Sequence, residues 1–217
     1  MIALVASRTS DADPKPGAAL DAIERMGVRE TFTKDEEVYG QEEPVERIYR
    51  VVSGAVRTIR LLGDGRRQVG EFYFPGDIFG LEPGPDHRFS AESLTDSVVL
   101  SVKRSALRGD DAAAAELDHM IRAATMHELD RSQEHVLLLG RKTACERVAT
   151  FLIDIVDRTD GRGDLPMGRQ DMADYLGLTI ETVSRMLSQL QSSAVVEFDA
   201  LRRFRISNPQ AIARLAA

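Results

Sequence analysis

The chain is poor in cysteine and histidine. Its one cysteine, Cys145, excludes an intramolecular disulfide and an iron–sulfur cluster held by four cysteines of one chain. Four scattered histidines, no metal-ligand spacing, no Walker A loop and no nucleophile elbow leave no catalytic and no metal-binding set. An enzyme is therefore not expected, and neither is a cofactor. No apolar run reaches the ~18–20 residues that span a membrane. The start, MIALVASRTSDADPKPGAAL, lacks the basic opening and long apolar core of a secretory signal. Residues 1–27 read as a polar tail, and the expected place of the protein is the cytoplasm, with no membrane partner.

An excess of positive charge is also missing, since the formal net charge is −7. Its distribution matters more than its sum. Residues 141–217 carry 11 Lys+Arg against 10 Asp+Glu, whereas the first 140 carry 17 against 25. The acidic excess lies in the N-terminal part, and the C-terminal part is close to neutral, so any nucleic-acid footprint there is local.

The chain does have a clear order of elements. Residues 28–111 are rich in short strand-like runs, at 48–52, 55–61, 67–74, 89–92 and 98–103, punctuated by glycine turns at Gly54, Gly63 and Gly65. That frequency predicts a small barrel or double-sheet roll. Residues 112–139 are strong helix formers without Gly or Pro. A helix of this length, about 40 Å at 1.5 Å per residue, outreaches one small β-domain. Leu117, Met120, Ile121, Ala124, His127 and Leu138 give it an apolar side, which predicts pairing with a second copy of itself. Gly140 is expected to end this helix, as a hinge or as a simple interruption. A further helix over 143–158 turns Ala144, Val148, Phe151, Leu152 and Ile155 inward, and Cys145 within it reads as a buried structural thiol.

The most informative stretch is 169–190, RQDMADYLGLTIETVSRMLSQL. Met172, Ala173 and Leu176 make an apolar stripe on a helix predicted over 169–176. Gly177 follows where a helix C-terminus wants positive φ, and Thr179 stands where an N-cap starts a second helix. This is a helix-turn-helix pattern. On the second helix Ile180, Val183, Leu187 and Leu190 step along a buried face. Glu181, Ser184, Arg185 and Ser188 step along another. Arg pairs with guanine O6 and N7, Glu accepts from cytosine N4, and Ser serves both ways, so Glu181, Ser184 and Arg185 are the candidate base readers. Arg169, Gln170, Thr179, Thr182 and Ser188 are candidate phosphate donors. Residues 194–206 predict a two-stranded wing, on which Arg202, Arg203 and Arg205 place further charge; Arg202 and Arg203 join the phosphate set. The alternative reading of the pair is an ordinary helical hairpin with a solvated face.

The order β-roll, long helix, winged helix-turn-helix resembles the cyclic-AMP receptor protein/FNR superfamily of bacterial transcription regulators over almost all of residues 28–210. Ile48-Tyr49-Arg50-Val51-Val52-Ser53-Gly54-Ala55-Val56, the Gly65 turn and Pro75-Gly76-Asp77-Ile78-Phe79-Gly80 look like its roll signatures. Ala173-Asp174-Tyr175-Leu176-Gly177-Leu178-Thr179 and Glu181-Thr182-Val183-Ser184-Arg185 look like its DNA-binding motif. Arg88-Phe89-Ser90-Ala91-Glu92 and the Glu-Thr-Val-Ser-Arg helix look most like the FixK branch.

The resemblance implies an α+β chain: a cyclic-nucleotide-binding-like β-roll at 28–111, a dimerisation helix at 112–140 and a winged helix-turn-helix at 141–217. It further implies a homodimer on double-stranded DNA with RNA polymerase as partner, activation in oxygen-limited respiration or nitrogen metabolism, and a TTGAT-N4-ATCAA-like palindrome. In the family a Gly-Glu pair and an Arg-Ser pair hold the cyclic nucleotide. Here Gly80 is followed by Leu81, with Glu82 one place late, and Phe89 separates Arg88 from Ser90. A cyclic phosphate desolvated without its arginine binds poorly, so the pocket reads as vestigial. The alternative is a sensor whose DNA binding needs a cyclic nucleotide or haem, with His127 and His135 as candidate haem ligands.

Overall fold

A computed structural model describes residues 21–109, 111–159, 161, 163–199 and 203–216. The N-terminal half is a roll of two four-stranded antiparallel sheets. One runs β1 (Val28–Phe32), β8 (Ser97–Lys103), β3 (Arg47–Ser53), β6 (Ile78–Phe79). The other runs β2 (Glu37–Tyr39), β7 (Ser90–Ser93), β4 (Val56–Leu61), β5 (Arg67–Tyr73). The turn into β4 passes so close to β8 that a Cβ on Gly54, whose φ is 84°, would lie 2.3 Å from Ser97 Oγ. Only glycine fits that approach.

The roll is preceded by a short helix, α1 (Ala22–Met26), where a polar tail was expected. Asp21 caps it, accepting from the Glu24 amide at 2.9 Å, while Glu24 reaches back to the Asp21 amide at 3.1 Å. Ala22 and Ile23 are buried against Leu100 and Val102 of β8 and against Leu117. The strong local capping box explains the helix, and two adjacent apolar residues explain its docking. Residues 1–20 lie outside the described residues.

Helix α2 (Ala112–Arg141) starts at an Asp111 cap and runs straight through Gly140. The expected stop at Gly140 is thus corrected. The break falls at Lys142 and Thr143, where the Thr143–Glu146 capping box starts α3 (Ala144–Arg158). A good N-cap at Thr143, three residues on, decides the boundary more firmly than a glycine in the last turn of the helix does. Cys145 is half-buried, and burial raises its thiol pKa.

The expected apolar side of α2 also needs correction. Leu117 is buried within its own chain, with Met120 and Ile121 packed against the same cluster, and Leu138 is buried in the C-terminal core. Ala124 is half-buried and His127 exposed. The large apolar side chains left facing outward are Met126, Leu129, Val136 and Leu137. The helix carries apolar residues on two sides, and spacing alone does not say which side its own roll claims.

Midway along α2, Glu128 meets the roll where the Tyr73 hydroxyl donates to its carboxylate at 3.0 Å. Burial raises the Glu128 pKa, against the lowering effect of that hydrogen bond. A raised carboxyl pKa means that the folded state favours the protonated form, so this contribution to stability is present at low pH and lost as pH rises through the folded pKa. Glu128→Gln, which mimics the neutral form and still accepts from Tyr73, is expected to raise the melting temperature at pH 7. In a calorimetric series the gain should shrink as pH falls through the raised folded pKa and be gone below the ordinary carboxylate range.

Candidate nucleic-acid interface

The C-terminal part forms a single core across four helices and a hairpin: α3, α4 (Arg169–Leu176), α5 (Ile180–Ser192), α6 (Pro209–Ala216) and the strands β9 (Val196–Phe198) and β10 (Phe204–Ile206). Helix α4 ends at Gly177 in the left-handed region, with φ 61° and ψ 40°. The Leu178 amide then bonds back to the Ala173 carbonyl at 3.0 Å. Thr179 caps α5 by accepting from the Thr182 amide at 3.3 Å.

Burial divides α5 into two faces. Val183, Met186, Leu187 and Leu190 are inside, while Glu181, Arg185 and Ser188 are exposed and Ser184 is half-exposed. Ile180, expected inside, is 37% exposed, and Met186 takes the inward place. Ile180 is the first residue after the cap, before the helix has turned onto its neighbours. The Glu181 pKa is lowered by the amide at its own helix N-terminus and by Thr179, so it presents an ionised acceptor.

The phosphate candidates fall into three groups. Arg169, Gln170 and Thr179 are exposed at the edge of the pair, with Thr182 half-exposed. Arg169 donates to Ser184 Oγ at 3.3 Å and Gln170 to Asp174 at 2.7 Å. Ser188 donates its hydroxyl to the Ser184 carbonyl at 2.9 Å, which leaves its oxygen as an acceptor only. On the wing, Arg203 pairs with Asp164 at 3.0 Å and Arg205 with Glu197. Arg202 lies outside the described residues.

Residues 146–215 match the Crp-like helix-turn-helix domain, and residues 29–109 match the cyclic nucleotide-binding domain. The chain is 41% identical over 213 residues to the nitrogen fixation regulation protein FixK of Azorhizobium caulinodans, covering 95% of this chain and 85% of that one. It is 40% identical over 187 residues to the protein of the same name from Rhizobium meliloti, covering 85% of each. The structure of FixK2 from Bradyrhizobium japonicum superposes with a TM-score of 0.82 at 49% identity, over 88% of this chain and 98% of that one. The chain belongs to the CRP/FNR family and is FixK-like. It is a transcription regulator with a helix-turn-helix DNA-binding domain, and its relatives are regulators rather than enzymes.

Within this FixK-like regulator two of the residues expected at the family's effector pocket, Ser90 and Glu82, have other partners. Arg88 is exposed. Ser90 Oγ accepts from the Gln41 amide at 2.8 Å, and Glu82 lies 3.1 Å from Nδ1 of the buried His87. Gly80 turns beside the Tyr49 ring, and Leu81 is half-buried. The interior of the roll is occupied by Tyr39, Tyr49, Tyr73 and Phe79, whose rings stack or tilt on one another at 5.2–6.2 Å, with His87 on Tyr39 at 3.6 Å. These residues do not fit a cyclic nucleotide. Nor do His127 and His135 make a paired site: His127 is exposed, and His135 donates to the Tyr175 carbonyl at 2.9 Å. No helix among the described residues is long and apolar enough to cross a membrane.

One residue that supports the interface has no signature in the sequence. Arg147 of α3 donates to the Leu176 carbonyl at 3.0 Å, to Leu139 at 2.7 Å and to Lys142 at 2.9 Å. It ties the end of α4 to the α2–α3 corner. A Cβ on Gly177 would lie 3.5 Å from this guanidinium and 3.4 Å from Leu139, so space is adequate and conformation is the constraint. Gly177→Ala is expected to cost about 1–2 kcal/mol for a left-handed L-residue. In urea unfolding the midpoint should fall while the m-value stays constant.

Proposed function

We propose that this chain acts as a homodimeric, sequence-specific transcription activator whose DNA binding needs no effector. Glu181, Ser184 and Arg185 read each half of a TTGAT-N4-ATCAA-like palindrome, and the protein contacts RNA polymerase in the cytoplasm. The relatives' description as nitrogen fixation regulators supports a role in nitrogen metabolism or oxygen-limited respiration.

The observation that carries the reading is the division of α5. Its reading face is turned to solvent at Glu181 and Arg185, while the opposite face is locked into the core. Arg169, Gln170, Thr179, Thr182 and Arg203 then surround it as phosphate contacts that set register. The homodimer is supported by α2, where Met126, Leu129, Gln133, Val136 and Gly140 recur at steps of three and four. Met126 is 59% and Val136 68% exposed. A seam of that period is what a paired helix buries. Half-sites one helical turn apart follow from two-fold symmetry.

Effector-free protein is expected to retard a TTGAT-N4-ATCAA duplex in a mobility-shift assay in preference to a scrambled duplex at moderate salt. Arg185→Ala should cost about 1–3 kcal/mol and relax specificity at one base pair. No preference over scrambled DNA, or a retained preference in the variant, contradicts the reading.

A further inference from the structure

Helix α4 is held against the roll by a compact set of buried ion pairs. Arg57 of β4 donates through Nη1 to Asp171 Oδ1 at 2.9 Å, and through Nε and Nη2 to Glu92 of β7 at 3.0 and 2.6 Å. Arg67 of β5 donates to the same Asp171 oxygen at 2.7 Å and to Asp174 Oδ2 at 2.8 Å. Gln68 adds a hydrogen bond to the Asp174 carbonyl at 2.8 Å. The other Asp171 oxygen accepts from the Gly168 amide at 3.0 Å, capping α4. The side chains of Arg57, Asp171 and Asp174 are only 10%, 9% and 12% exposed.

Buried ion pairs add little net stability compared with apolar packing, because desolvation offsets attraction. What they do supply is direction. A guanidinium fork fixes both distance and angle, whereas apolar surfaces slide. Here the forks grip α4, and α4 shares a core with α5 through Met172, Leu176, Val183 and Leu187. Whatever orients α4 therefore orients the reading face. Asp171 and Asp174 face the roll, while Arg169 and Gln170, on the same helix, remain exposed, with Gln170 donating to the second Asp174 oxygen at 2.7 Å.

We propose that Arg57 and Arg67 are positioning residues for DNA reading: by gripping Asp171 and Asp174 they fix each helix-turn-helix against its own roll, so that the dimer presents two reading helices at one separation. This rests on the DNA-reading function proposed above. The two arginines touch no base and no phosphate. Their effect is on which half-site spacing the dimer accepts, not on which bases each half prefers.

The test uses the full-length chain with Arg57→Met, Arg67→Met and the double variant. Each is titrated onto duplexes carrying the same half-sites three, four, five or six base pairs apart. Wild type should prefer one spacing. The double variant should lose affinity for that spacing on the order of tenfold, as the second half-site is no longer presented in register, while the ratio of matched to mismatched half-site binding stays the same. Arg67→Asp combined with Asp174→Arg should restore part of the spacing preference. A folded double variant with wild-type spacing discrimination overturns the proposal. If the double variant fails to fold, Asp174→Asn carries the same prediction with less disturbance. If wild type itself ignores the palindrome, the DNA reading fails, and the grip is judged by hydrogen exchange of residues 169–176. Faster exchange in the double variant supports a positioning grip, and unchanged exchange overturns it.

Discussion

Asp171 is where the two halves of this protein meet. One of its oxygens closes the N-terminus of the first helix of the helix-turn-helix, and the other lies between two arginines of the roll. A carboxylate so deeply placed is tolerable only because every direction around it is answered by a donor. A second set of charges braces the contact from the side. Arg158 of α3 meets Glu71 at 3.1 Å and Asp77 at 2.9 Å, and its guanidinium lies over the Phe74 ring. Phe72, Phe151 and Tyr175 fill the space between the two sets. The contact is therefore directional at its edges and apolar at its centre.

This arrangement gives the filled roll a physical meaning. In a regulator that waits for a ligand, the roll needs an empty site and a loose connection to the reading heads, so that differential binding can shift the population. Here the roll interior is packed with aromatic rings, and β7, the strand that carries Ser90, is tied through Glu92 and Arg57 to α4. On the reading proposed above, a roll filled and tied in this way leaves an effector little to switch.

Much of this architecture is legible in the sequence, because it rests on local rules. Glycine turns and short β-branched runs mark the roll, and the step pattern of 169–190 marks the two helices, their turn at Gly177 and the polar face of α5. The parts that resisted were set by tertiary choice. Which apolar side of α2 meets the roll depends on Tyr73, Leu100 and Val102, far away in the chain, so Leu117 and Leu138 could not be told from Met126 and Val136 by spacing. Arg57, Arg67, Arg147 and Arg158 look like ordinary charged residues until the fold brings carboxylates and carbonyls to them. A Gly168-x-x-Asp171 box at the start of α4 is a local cap signal, but nothing local announces that the same carboxylate faces two arginines. The short helix at 22–26 was hidden by the polar, proline-containing segment before it.

On the proposed reading, the two reading helices of the dimer hold one relative position with or without DNA or an effector. Pulsed electron-spin distance measurement tests it most directly, with a nitroxide on Gln189→Cys of α5 in a Cys145→Ser background. A pre-set dimer gives one narrow inter-protomer distance in the free protein, and adding the palindrome or a cyclic nucleotide leaves it in place. A broad distribution that narrows or shifts only when DNA or a nucleotide is added would contradict the account.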